Sequence, residues 1–184
     1  MRRAESAPST SSAGLRLRAA ALACIAALLL PAGPAAAGLL MDDEQLPPED
    51  AAPAAPEFST RELIAIPMPP GMGVRIGVDP ATIQVGKDGI VRYVAVATNA
   101  AGEATSAMYE GIRCSNAQVK LYARHYADGG WRPAAEPTWV SLYETRVRYS
   151  LAIAKAGVCQ DASANGSASK IIRDLRGSPL YPTP

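Results

Sequence analysis

Ile90-Val91-Arg92-Tyr93-Val94-Ala95-Val96-Ala97-Thr98 is the stretch on which the reading of this chain turns. Its β-branched side chains are stiff at χ1 and pack well on a pleated surface, so the run predicts a strand rather than a helix. Lys87-Asp88-Gly89 stands before it and Asn99-Ala100-Ala101-Gly102 after it, and Asp-Gly is a favoured turn pair. Working outward, Thr82-Ile83-Gln84-Val85 reads as a short strand closed by Gly86, and Ala104 to Cys114 as a longer one. Val119 to Tyr126 alternates apolar and polar residues, the period-2 mark of a strand with one buried face. Asp128-Gly129-Gly130 then turns the chain before Trp131. Leu63 to Met72 is apolar but broken by Pro67, Pro69 and Pro70, so it predicts an extended strap along a sheet edge. Regular strand-turn-strand spacing predicts an antiparallel meander.

The pattern changes after Pro137. Ser141-Leu142-Tyr143-Glu144 fits a capping box, in which hydroxyl and carboxylate satisfy free amides at a helix start. Tyr143, Val147, Leu151, Ala154 and Val158 then form one apolar stripe, ending near Gly157. Residues 161 to 184 read as a loop and a short helix, Lys170 to Arg176, stopped by Gly177 and Pro179. The predicted class is α+β over residues 63–160: an antiparallel β-meander packed by one C-terminal amphipathic helix.

Residues 1–37 read as a cleaved export signal. Arg16 and Arg18 precede an apolar run from Ala19 to Leu30, and Ala35-Ala36-Ala37 is a small-residue cleavage site. As a helix that run spans about 18 Å, short of a hydrocarbon core of roughly 30 Å. No later stretch is long and apolar enough to span, so no transmembrane segment is expected in a mature chain starting at Gly38. Cys24 lies within the apolar run, a poor position for a lipidated cysteine, and removal with the signal is the favoured reading. The expected location is the periplasm.

Charge is distributed unevenly. Asp42, Asp43, Glu44, Glu49, Asp50 and Glu57 fall in a Pro/Ala-rich stretch with no basic residue among them, whereas the remainder from Phe58 on holds 14 basic and 10 acidic residues. Residues 38–62 therefore read as an acidic, solvated, disordered leader that cannot build a core. The alternative is a tail that docks on the basic face of the domain.

Two cysteines follow the leader. In an oxidising compartment Cys114, at a strand end, and Cys159, at the end of the expected helix, pair to staple helix to sheet. A redox-active pair would normally be closely spaced, as in C-x-x-C, and this one is not.

The strings Val78-Asp79-Pro80, Val85 to Tyr93, Tyr109-Glu110-Gly111-Ile112-Arg113-Cys114, Lys120-Leu121-Tyr122-Ala123 and Trp131 together resemble the cryptic neisserial protein 1-like family. These are small exported proteins of Gram-negative bacteria with no assigned activity. The resemblance implies an envelope location and a similar architecture; it carries over no catalytic residue.

The residues themselves argue for binding over catalysis. There is one histidine, His125, whose strand parity with Leu121 and Ala123 turns it inward. No catalytic serine motif, phosphate-cradling glycine loop or zinc-binding helix motif occurs, and neither cofactor nor metal is implied. Lys120, Tyr122, Arg124 and Tyr126 alternate along one strand, and period 2 predicts a shared cation–aromatic face for an envelope protein or anionic polymer. The competing reading is a sheet face covered by another part of the chain. Tyr109, Glu110 and Arg113 form a secondary cluster beside Cys114. The excess of 14 basic over 10 acidic residues from Phe58 on is a weak field, and the chain reads as exported, so nucleic acid is a poor target. An envelope enzyme with paired carboxylates is the alternative function.

Overall fold

A computed structural model describes residues 46–68, 73–126, 129–144 and 148–178. They belong to one compact unit spanning residues 38–184. The Ile90–Thr98 run is indeed a strand, and it is buried on both faces along nearly its whole length. That explains why it reads as a near-continuous apolar run rather than an alternating one.

Ten strands are described: β1 (Ile64–Ile66), β2 (Arg75–Val78), β3 (Gln84–Val85), β4 (Ile90–Thr98), β5 (Ala104–Arg113), β6 (Gln118–Tyr126), β7 (Gly130–Pro133), β8 (Val140–Ser141), β9 (Cys159–Gln160) and β10 (Ser163–Ala164). The first eight form one sheet, ordered β1-β2-β4-β5-β6-β7. β3 and β2 share one edge of β4, while β8 and β7 share the far edge of β6. All of these pairs are antiparallel, and β4 to β7 run as the expected meander. The strap expected over 63–72 begins with β1, which pairs with β2; residues 69–72 lie outside the described residues.

The two faces of this sheet carry separate cores. On one, Val91, Tyr93, Ala95, Met108, Ile112 and Val119 pack beneath the C-terminal segments. On the other, Val94, Val96, Ala107, Tyr109 and Ala123 pack beneath Ala55, Phe58 and Leu63. We call these the helix face and the strap face.

The C-terminal half departs from the sequence reading in its helix. Ser141 does not open a helix. It ends β8, opposite Gln118, and residues 142–144 turn. The Ser141 hydroxyl accepts from the Tyr143 amide, and the Glu144 amide donates to the Ser141 carbonyl, so the hydroxyl of the supposed capping box helps close a turn. Tyr143, placed on the apolar stripe, is 65% exposed, and Val147 lies outside the described residues. The helix α1 spans only Tyr149–Ile153 and continues as one π turn, Ala154–Val158. Within that turn Gly157 leaves helical geometry, with φ at 158°. A Cβ at Gly157 would lie 2.9 Å from the Leu175 amide nitrogen of α2 (Ala168–Gly177). α2 buries Ile171 and Leu175, and Ser167 caps it by accepting from the Lys170 amide.

Cys114 and Cys159 form the expected disulfide, with Cα atoms 5.6 Å apart. The staple differs in one respect: Cys159 opens β9 just beyond the π turn instead of closing a long helix. It ties the end of β5 to the hairpin β9–β10, and so holds the C-terminal segments against the sheet.

Candidate functional site

A bulge in β6 decides which side chains meet. Tyr109 pairs with Ala123 but Glu110 pairs with Leu121, so Tyr122 is an extra residue in the ladder. Residues directly opposite one another share a face, and a bulge switches the parity of the strand beyond it. Lys120 and Tyr122 therefore reach the strap face. Arg124, opposite Met108, and Tyr126, opposite Ser106, point to the helix face. The expected four-residue stripe is thus split into two pairs, because alternation holds only while the register is unbroken. The same switch puts His125 on the strap face, in edge-to-face contact with Phe58 and Trp131.

The secondary cluster separates for the plain reason that i and i+3 lie on opposite faces of a strand. Tyr109 and Arg113 lie on the strap face, and Glu110 on the helix face. There Glu110 is 4% exposed and accepts from the hydroxyls of Tyr93 (2.9 Å), Ser150 (3.1 Å) and Tyr149. Burial pushes its carboxyl above the usual range even though these donors act in the other direction. Burial and the Glu110 charge push the Tyr93 phenol well up. This buried network joins the sheet to α1.

The strap face is where cations, aromatic rings and an acid converge. Residues 46–62, which the sequence reading took as a solvated leader, contribute Glu49. Its carboxylate accepts from Lys120 Nζ at 2.8 Å, Tyr122 Oη at 2.9 Å and Trp139 Nε1 at 3.1 Å. Trp139 sits in the loop between β7 and β8, with the Arg113 guanidinium 4.3 Å from its ring centre and Lys120 Nζ 5.5 Å away. The Tyr122 ring lies over Gly111, where a Cβ would come within 2.7 Å of the phenol oxygen. Glycine at that place in β5 is what lets the ring approach. Burial alone would raise the carboxyl of Glu49, but the bonds from Lys120 and Tyr122, the Lys120 charge and the Trp139 bond outweigh it and hold it low.

Next to Glu49, a buried ion pair clamps the main chain. Arg92 makes two bonds to Asp88, at 2.7 and 3.3 Å. Asp88 accepts the Asp50 amide at 3.0 Å, and Arg92 donates to the Asp50 carbonyl at 3.2 Å. At the other end Trp131 Nε1 donates to the Pro56 carbonyl at 3.1 Å, and Phe58 packs edge-on against Trp131.

Chemically, Lys120, Tyr122 and Trp139 present donors to one point, the arrangement for holding an acceptor such as a carboxylate. The two acids brought to this place, Glu49 and Asp88, are each engaged by a cation. Among the described residues no three of His, Cys, Asp and Glu gather as metal ligands, and no helix there is long and apolar enough to cross a membrane. Trp139 escaped the sequence reading, and Glu49 was read only as part of an acidic stretch whose docking was the less favoured alternative. The signal was present, since an acidic stretch and a strand bearing Lys120 and Tyr122 are complementary, but the register that joins them is not local.

No curated protein and no solved structure matches the chain. The model of the CNP1-like family matches residues 43–176, which include Glu49, Lys120, Tyr122, Trp139 and both cysteines. A match over that much of the chain agrees with the Tyr-Glu-Gly-Ile-Arg-Cys and Lys-Leu-Tyr strings, and the chain belongs to the CNP1-like family.

Proposed function

We propose that this is an exported cell-envelope protein that acts by binding, and that its ligand offers a carboxylate or similar anionic group to Lys120, Tyr122 and Trp139. The observation that carries the reading is the convergence of three donors on the single carboxylate of Glu49. Lys120 and Tyr122 both spend their protons on Glu49, and burial with the Glu49 bond pushes the Tyr122 phenol up, an arrangement that suits recognition rather than turnover. The flanking cation–π contacts of Arg113 and Lys120 on Trp139 add a positive, ring-lined rim. Periplasmic location is supported by the leader read in residues 1–37 and by a disulfide, which persists in oxidising compartments.

Crosslinking in intact cells tests the reading. A Lys120→Ala, Tyr122→Ala variant is expected to fold, to be exported, and to lose the partners that the parent captures. Capture of the same partners by a folded variant refutes the site, and a diacylglycerol on Cys24 would change the location to a membrane-anchored one.

A further inference from the structure

Both tryptophans of this chain donate their indole N–H to one short segment: Trp139 to Glu49, and Trp131 to the carbonyl of Pro56. That segment, residues 46–58, belongs to no strand or helix. It takes no part in the β-ladder, so lifting it would break no sheet hydrogen bond. Residues 51–54 between its two anchor points are exposed. Beneath it lie Val94, Val96, Ala107, Tyr109 and Ala123, an apolar floor with a cationic rim.

The contacts also specify what fits. Asp88 accepts a backbone N–H from Asp50, while Arg92 and Trp131 donate to backbone carbonyls of Asp50 and Pro56. Those three groups read a peptide main chain, which a glycan or a polyphosphate does not offer. Lys120, Tyr122 and Trp139 read one acidic side chain, and His125 with Trp131 seats an aromatic ring farther along. Pro47, Pro48, Pro53 and Pro56 keep the segment extended, which reduces the ordering cost of docking.

Resting on the binding reading above, we infer that residues 46–58 are a tethered ligand in the groove where a partner protein docks an extended acidic peptide. Glu49 sits where the partner's carboxylate goes. A covalently attached ligand acts at an effective concentration in the millimolar range, so the partner peptide must compete with it. The segment sets a threshold for binding and also keeps the aromatic floor covered.

The test uses a fluorescent peptide with the chain's own sequence from Gln45 to Thr60, titrated against the full chain and against its Glu49→Gln variant. Indole ¹⁵N resonances of Trp131 and Trp139 report on the groove in the same samples. Weakening the tethered copy is expected to improve peptide affinity by about tenfold or more, and bound peptide should return the Trp139 resonance to its parent position. A peptide with Gln at the Glu49 position should bind neither protein tightly. A Glu49→Gln, Phe58→Ala variant covers the case in which the segment stays docked by its aromatic anchor, and it should bind the peptide most tightly. Equal peptide affinity for parent and both variants overturns the tethered-ligand inference while leaving the carboxylate site intact. No peptide binding to any of them overturns the peptide assignment. If Lys120→Ala, Tyr122→Ala also keeps its cellular partners, the binding reading itself falls. A concentration-dependent dimer of the parent would mean that the segment exchanges between copies, which overturns a foreign partner.

Discussion

Replacing Glu110 with alanine removes the acceptor at the centre of the contact between sheet and α1. Three hydroxyls point at that carboxylate: those of Tyr93, Tyr149 and Ser150. Tyr93 is 0% and Ser150 2% exposed, so neither reaches water once the acceptor is gone, whereas half-buried Tyr149 can turn outward. A stranded buried hydroxyl costs about 1–3 kcal/mol, so two give roughly 2–6 kcal/mol. Against this stands relief from burying a carboxylate, whose pKa is raised chiefly by desolvation. We expect a net loss of about 3 kcal/mol, a large share of the 5–15 kcal/mol typical of a domain. Urea unfolding followed by circular dichroism measures it through the midpoint at unchanged slope. Glu110→Gln keeps an acceptor and should lose less. The pH dependence gives a second check with a definite sign. Because the folded pKa is raised, the carboxyl's contribution is complete below the ordinary value of about 4.5 and fades as pH rises through the folded value. Wild type should therefore lose ground relative to Glu110→Gln on going from pH 4 to pH 8. An alanine variant within about 1 kcal/mol of wild type, or a glutamine variant that worsens with rising pH, would refute the argument.

Reducing the Cys114–Cys159 bond, or replacing both cysteines with serine, reopens a 45-residue separation and should cost about 4 kcal/mol on the chain-entropy account; unfolding with and without reductant measures it. Gly111→Ala should push the Tyr122 ring off β5, with loss of the Glu49 contact visible as a shifted Trp139 indole resonance. Acid should release the segment bearing Glu49: its pKa is depressed, so its contribution is present above about 4.5 and lost as pH falls through the folded value. Trp139 should follow that titration in wild type and not in Glu49→Gln.

The sheet was legible because local signals agreed with one another. The Asp88-Gly89 turn, the β-branched Ile90–Thr98 run and the alternation after Val119 each point to a meander, and β4 to β7 follow them. The disulfide was legible because the expected oxidising compartment and the absence of C-x-x-C spacing both argued for a structural bridge. The helix was not, because Ser141 to Glu144 satisfies a capping pattern whose groups are used otherwise once Ser141 is drawn into β8 by Gln118. Whether a hydroxyl caps a helix or closes a turn depends on that long-range pairing, and a local pattern carries no record of it. The candidate site failed in half for a related reason. Alternation correctly paired Lys120 with Tyr122, yet the extra residue opposite the Tyr109–Glu110 step sent Arg124 and Tyr126 to the other face.

The bulge also explains how one strand serves two unlike faces. Without it Arg124 would lie with Lys120 and Tyr122, giving the groove another positive charge and the helix face none from this position. With it, Arg124 lies on the face of Glu110, where its charge favours the ionised carboxylate against the burial that opposes it. Tyr122 and Ala123, adjacent in the chain, both turn to the strap face and broaden its apolar floor. The two acids consequently meet opposite environments across one sheet. Glu110 is enclosed by hydroxyls, with its pKa raised; Glu49 is held at a charged rim, with its pKa lowered. The first acts as an internal tie whose loss loosens α1. The second is bound through side chains and two anchor points without a β-ladder, the manner in which a separate ligand would be bound. That contrast is the reason our proposal puts another molecule on the strap face rather than at the buried Glu110 network.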